Sequence, residues 1–130
     1  MRQAGSILDL AQPVAVLFPA NLAFVRDLTT AHQIVATMMA GVPSGSYLMI
    51  THHASDLFVD EHAEMFRCIE RLAAQGKTWA VAPRRHAEVA KLFDGLDLID
   101  PGVVPMPEWP TPDADGEPVV AAMYGALGRK

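Results

Sequence analysis

The sequence predicts a three-layer α/β domain, with amphipathic helices packed on both sides of a mostly parallel sheet. Three observations carry this. Apolar, β-branched runs of strand length recur along the chain, stripes with helical spacing separate them, and glycine and proline fall between the two kinds of segment. At 130 residues the chain has the length of one ordinary domain, so residues 1–130 are read as a single unit.

The first strand is expected at Pro13-Val-Ala-Val-Leu-Phe18, a continuous apolar run that suits a strand covered on both faces. Thr30-Ala-His-Gln33 then reads as a capping box. Behind it Ala31, Ile34, Val35, Met38 and Met39 form one helical stripe, which Gly41 and Pro43 end. Ser46-Tyr-Leu-Met-Ile-Thr51 reads as a second buried strand. A helix is expected over residues 59–75, with acidic residues in its first turn, Gly76 beyond its end, and Ala63, Phe66, Ile69 and Ala73 facing inward. A third helix is expected to start with Pro83 and to stop before Gly95, burying Val89, Leu92 and Phe93. Residues 96–99 and 102–104 read as strand pieces broken by Pro101, residues 106–118 as a long loop, and residues 119–127 as a last strand. Because a loop rather than a helix precedes that strand, it is free to run antiparallel.

Composition excludes several functions. Apolar residues make up 51% and charged residues 19%, which suits a packed core and argues against disorder. The net charge of −5, with no basic cluster larger than Arg84-Arg85, argues against nucleic-acid and membrane-surface binding. No run approaches the roughly 20 apolar residues of a membrane span. One cysteine and seven methionines suit a reducing, cytoplasmic setting. Cys68, within a helical pattern, reads as a small core residue.

The chain also resembles a family. Pro13-Val-Ala-Val-Leu-Phe18 with Leu22-Ala-Phe-Val25, and Pro43-Ser-Gly-Ser-Tyr-Leu-Met-Ile-Thr-His52, are similar to two central strands of bacterial S-adenosyl methyltransferases. The segment from Glu88 through Phe93-Asp-Gly95 to Pro101-Gly-Val-Val104, then Trp109, resembles that family's following helix, strand and turn. Tyr124-Gly-Ala-Leu-Gly-Arg-Lys130 resembles its closing strand. The resemblance implies a class I Rossmann-like fold of seven strands ordered 3-2-1-4-5-7-6, of which this chain holds the contiguous half 4-5-7-6 with the last strand antiparallel.

It also implies S-adenosylmethionine as cofactor, bound outside the carboxyl ends of the strands. Pro19, Asn21, Leu22 and Phe24 then become candidate cofactor-binding residues, and His52 a candidate on the substrate side. Two departures matter. No G-x-G turn precedes the first strand, so the half that grips the nucleoside is not found in these residues, and the chain alone is expected to be inactive and to bind little cofactor. Family members usually carry histidine where this chain has Ala23.

Other candidates are weaker. His52 and His53, with Asp56, Asp60, Glu61 and His62 nearby, suggest a metal site, but adjacent strand residues face opposite ways and no metal is expected. Trp79 and Trp109 read as packing residues. A reading of a different class is a non-catalytic interaction module. Its first strand would be an unpaired edge, so a homodimer or a complementing N-terminal fragment is the expected partner.

Overall fold

The computed structural model describes residues 4–57, 59–106 and 122–130. Its architecture is mixed α/β, with a five-stranded sheet between helices. The strands are β1 (Ala15–Pro19), β2 (Tyr47–His53), β3 (Asp97–Leu98), β4 (Val104–Pro105) and β5 (Met123–Arg129). They lie in the order β1-β2-β5-β3, with β4 also on β5. Among the described strands only β1 and β2 pair in parallel, because β5 is inserted antiparallel between β2 and the β3–β4 side. The expected antiparallel last strand is therefore present. A sheet parallel throughout most of its pairings is not, since one reversed strand between like-directed ones makes every pairing it enters antiparallel.

Alternation along β2 sets the layers. Leu48, Ile50 and His52 point to one face and are buried. That face receives Ala31, Val35 and Met39 of helix α1 (Leu28–Ala40), with Val89 of α3 (His86–Lys91) and Leu92 and Phe93 just beyond it, in one core cluster. The opposite face carries His53, whose ring meets Phe66 of helix α2 (Val59–Ala74) edge-on at 6.1 Å. Helices thus lie on both faces. The inward residues expected for α2 are only half-buried, as is Cys68.

Four local expectations need correction. The strand β1 is covered on one face only: Val16 and Phe18 are buried, whereas Leu17 is 57% exposed. Helix α1 is capped by Asp27 rather than by Thr30, since the Asp27 carboxylate accepts from the Thr30 amide at 2.6 Å and its hydroxyl at 2.7 Å. Helix α3 starts at His86 and not at Pro83, because Arg84 is extended and bridges to Ala54. Trp79, expected to pack, is 80% exposed. The expected loop over 106–118 and Trp109 fall largely outside the described residues, as do the first residues of the expected last strand, which the structure begins at Met123.

The amino ends of the strands are tied together by the chain terminus. The Lys130 amide donates to Ser46 O, the Gly45 amide donates to Lys130 O, and Lys130 Nζ donates to Met39 O and Val42 O at 2.7 Å each. The ammonium adds a further bond to Met39 O in the last turn of α1, where the helix dipole favours a cation, and bonds Val42 O just beyond that helix. The business end is the opposite one.

Candidate functional site

At the carboxyl end of β1 the chain turns sharply. Ala20 adopts a left-handed conformation (φ 59°), and its amide donates to Thr51 O and Thr51 Oγ1. Residues Asn21–Phe24 then form one 3-10 turn, with Leu22 and Ala23 buried. Pro19 and Asn21 are exposed, and so is Phe24, at 55%. The four residues expected to face a cofactor therefore divide: three are on the surface of one turn, and Leu22 is packed beneath it.

What holds the turn from below is Arg84, only 2% exposed. Its Nη1 donates to Leu22 O at 3.1 Å and its Nη2 to Val25 O at 2.6 Å, while Nη1 lies 2.6 Å from His52 Nε2. The backbone joins in, with the Arg84 amide donating to His53 O, the Ser55 amide to Arg84 O, and the Ala82 amide to Ala23 O. Guanidinium nitrogens only donate, so His52 Nε2 accepts and the proton sits on Nδ1, which donates to His53 O at 3.0 Å. His52 is thus a neutral, buried imidazole with both nitrogens engaged. Burial pulls its pKa below the ordinary imidazole range, and the Arg84 cation pushes the same way. Burial also lowers the pKa of Arg84 itself, which nevertheless stays a cation. Leaving any of these acceptors unmatched would cost about 1–3 kcal/mol.

A second cluster lies at the same end of the sheet. Asp56, three residues past β2, accepts from Tyr124 Oη–H at 2.9 Å through one carboxylate oxygen and from the His86 amide at 3.0 Å through the other. The His86 ring meets Tyr124 edge-on at 5.4 Å, and its Nε2 donates to Val103 O at 2.9 Å. That leaves Nδ1 as the basic nitrogen of an exposed imidazole. Burial, with the Asp56 hydrogen bond and charge, pushes Tyr124 up to about 12, so the phenol stays protonated and donating.

Sequence reasoning named the turn and His52, and Asp56 only within the metal candidate; it did not name Arg84, His86 or Tyr124 as site residues. Their only local signal was a basic pair followed by histidine at 84–86, which is uninformative until 84 is seen beside 54. His52 and His53 face opposite ways, one toward Arg84 and the other toward Phe66. Among the described residues no group of three His, Cys, Asp or Glu side chains could hold a metal. The side chains of Asp60, Glu61 and His62 lie outside the description. Among the described residues no helix is long and apolar enough to cross a membrane.

A family model described as S-adenosyl methyltransferase matches residues 1–130. This chain belongs to the S-adenosyl methyltransferase family. Among solved structures it is similar to a DUF574 family protein from Streptomyces avermitilis, at 36% identity and a TM-score of 0.82, over 97% of this chain and 47% of that one. A Thermobifida fusca protein assigned provisionally to the methyltransferases aligns at 18% identity and a TM-score of 0.78, over 98% of this chain and 47% of its own length. A SAM-dependent methyltransferase from Methanosarcina mazei, at 12% identity and a TM-score of 0.59, shares the fold over 89% of this chain and 58% of that one. The chain thus spans about half the length of the first two structures. No curated protein matches it.

Proposed function

We propose that this chain forms the acceptor-side half of a methyl-transfer site that uses S-adenosylmethionine, with the turn at Pro19, Asn21 and Phe24 facing the donor. The observation that carries this is the braced turn itself. A member of a methyltransferase family displays an amide and an aromatic ring at the carboxyl end of its parallel strand pair, on a turn that Arg84 and Thr51 hold in one conformation. Rigid display is what a positioning catalyst needs, since holding reactants in line can supply much of such a barrier.

The residues present fit one part of the donor. Asn21 offers both a donor and an acceptor, and the exposed face of Phe24 suits a cationic centre. A glycine-rich turn and a ribose-binding carboxylate are not found before β1 in this sequence, so the grip on the nucleoside falls to polypeptide beyond these residues. When bound, S-adenosylmethionine supplies a methyl group on a sulfonium whose thioether leaves readily. Within this chain His52 acts indirectly, as the acceptor that fixes Arg84 beneath the turn. Ala23 is buried and carries no proton-transfer group. Asp56 and His86 are exposed at the same end of the sheet, and removal of a proton from a hydroxyl or amine acceptor falls to them.

Two titrations of the isolated chain test this. Amide chemical shifts followed against millimolar S-adenosylmethionine are expected to move at 20–25 and 52–56. Shifts confined to α2, or none, would sink the proposal. Calorimetry is expected to give no micromolar binding, and micromolar affinity would show that these residues hold the donor unaided.

A further inference from the structure

We infer that Arg84 and His52 form an acid-operated latch on the turn Asn21–Phe24, closed by a lone pair at His52 Nε2 and opened when that nitrogen takes a proton. The donor count explains it. A guanidinium has five N–H groups and no acceptor. Arg84 Nη2 donates to Val25 O, and Nη1 is directed at both Leu22 O and His52 Nε2. These partners are two carbonyls and an imidazole, so the cation is held by acceptors that carry no formal charge. Of the three, only the imidazole can change from acceptor to donor.

Protonation removes that acceptor and adds a charge. Nδ1–H already donates to His53 O, and in the imidazolium both nitrogens donate, so a ring flip restores nothing. Two cations would then face each other where water does not reach, since His52 and Arg84 are both buried. Leu22 O, which also lies against the His52 ring, can take the new Nε2–H. That displaces Arg84 from Leu22 O and leaves Val25 O, at the far end of the turn, without its guanidinium. The displaced cation is drawn toward Glu88 on α3 and Asp27 at the start of α1, whose charges already favour it.

The other groups around the pair are few. On β5 the residue opposite His52 is Tyr124, whose phenol stays protonated and donates to Asp56. On α3 the His86 ring stands edge-on to that phenol, while Arg85 and Lys91 are exposed. The buried face of α1 is apolar, through Ala31, Val35 and Met39. On β2 the adjacent His53 points the other way, against Phe66 of α2. Burial holds the His52 pKa below the ordinary imidazole value of 6.5, and the Arg84 charge acts in the same direction. An imidazole released to water regains that ordinary value. The closed turn is therefore favoured in full above pH 6.5, and the advantage is lost as pH falls through the lowered pKa.

The latch stands whether or not the turn faces a methyl donor; only its use in methyl transfer rests on that reading. In the intact chain, ring-nitrogen chemical shifts of the histidines are followed from neutral pH into acid, beside amide hydrogen exchange. The Val25 and Ala82 amides report on the turn, since they donate to Leu22 O and Ala23 O. Their protection is expected to fall at least ~10-fold with the same midpoint as His52 protonation, while protection of the β2 amides holds. His52→Gln, which offers an oxygen acceptor that does not titrate, is expected to keep the turn protected in acid, and His53→Gln to leave the wild-type response unaltered. Arg84→Lys, which loses the fork, is expected to leave the turn exchanging fast even at neutral pH. A turn that stays protected once His52 carries its proton would overturn the latch, as would unfolding of the whole chain before His52 titrates. Should His52→Gln not fold, the coincidence of the two wild-type midpoints decides alone. Millimolar S-adenosylmethionine is expected to move the His52 midpoint to lower pH, because a ligand of the closed turn favours that state. A working latch whose midpoint ignores S-adenosylmethionine would sink the methyl-transfer reading and spare this one.

Discussion

The two edges of the sheet are built differently. On one side β3 and β4 are two residues each, separated by a loop holding Pro101 and Gly102, the latter at φ 84°, and β4 ends on Pro105. Asp94, Asp97 and Asp100 add charge along that side. Short strands, prolines and charges are how proteins close a sheet against further pairing. On the other side β1 also ends on a proline, Pro19, but is five residues long, evenly paired, uncharged and apolar. The contrast is between a side closed by short strands and acidic residues and a side whose strand carries no charge.

The largest expected effect lies between the edges, where a change should weaken both alike. Leu48 on β2 is fully buried among α1 and α3 residues, so Leu48→Ala is expected to cost about 2–5 kcal/mol in urea unfolding. A loss below 1 kcal/mol would mean that the two sides do not share one core.

The next effects belong to the closed side. Tyr124 pairs with Pro105 of β4 and donates to Asp56. Its phenol titrates near 10 when unfolded and at about 12 when folded, so the folded state holds the proton more tightly. That contribution is complete below pH 10 and is lost as pH climbs toward 12, on the order of 2 kcal/mol. Stability measured from pH 9 to 12 is expected to fall more steeply for the wild type than for Tyr124→Phe, and parallel curves would show the phenol to be unlinked to folding. Gly128, also on β5, has Phe93 Cδ1 only 2.8 Å from where a Cβ would sit, and Phe93 is buried. Gly128→Ala is expected to cost about 1–3 kcal/mol by overpacking, read as a lowered urea midpoint with unchanged slope. An unchanged midpoint would show slack between β5 and α3.

The same asymmetry explains what could be read from sequence. The two long strands and the α1 stripe were legible because burial there follows local periodicity: Leu48 and Ile50 alternate, and Ala31, Val35 and Met39 recur along one helical face. The antiparallel last strand was legible because a loop precedes it. Exposure of Leu17 was not, since an apolar residue in an apolar strand reads the same whether or not its neighbour is present. The brace was not legible either. Arg84 meets Leu22 and His52 across 62 and 32 residues, and Tyr124 meets Asp56 across 68, separations at which no pattern in the chain signals contact. The turn at 19–24 was placed by family resemblance, whereas its rigidity is a tertiary property.

The smallest expected effect on stability is the most informative about the open side. Leu17 is 57% exposed and its neighbours in β1 already carry the pairing to β2. Replacing it with lysine removes little buried area and adds a charge that water can reach, so Leu17→Lys is expected to change unfolding stability by no more than about 0.5 kcal/mol. Its effect should appear in association instead, as less concentration-dependent scattering than the wild type, because a charged edge resists strand addition. The equivalent exposed position on the other side, Leu98, is 43% exposed on a two-residue strand, and Leu98→Lys should leave association unaltered. If the two lysine variants behave alike in scattering, the edges are equivalent. If Leu17→Lys costs as much stability as Leu48→Ala, then Leu17 is already covered in solution.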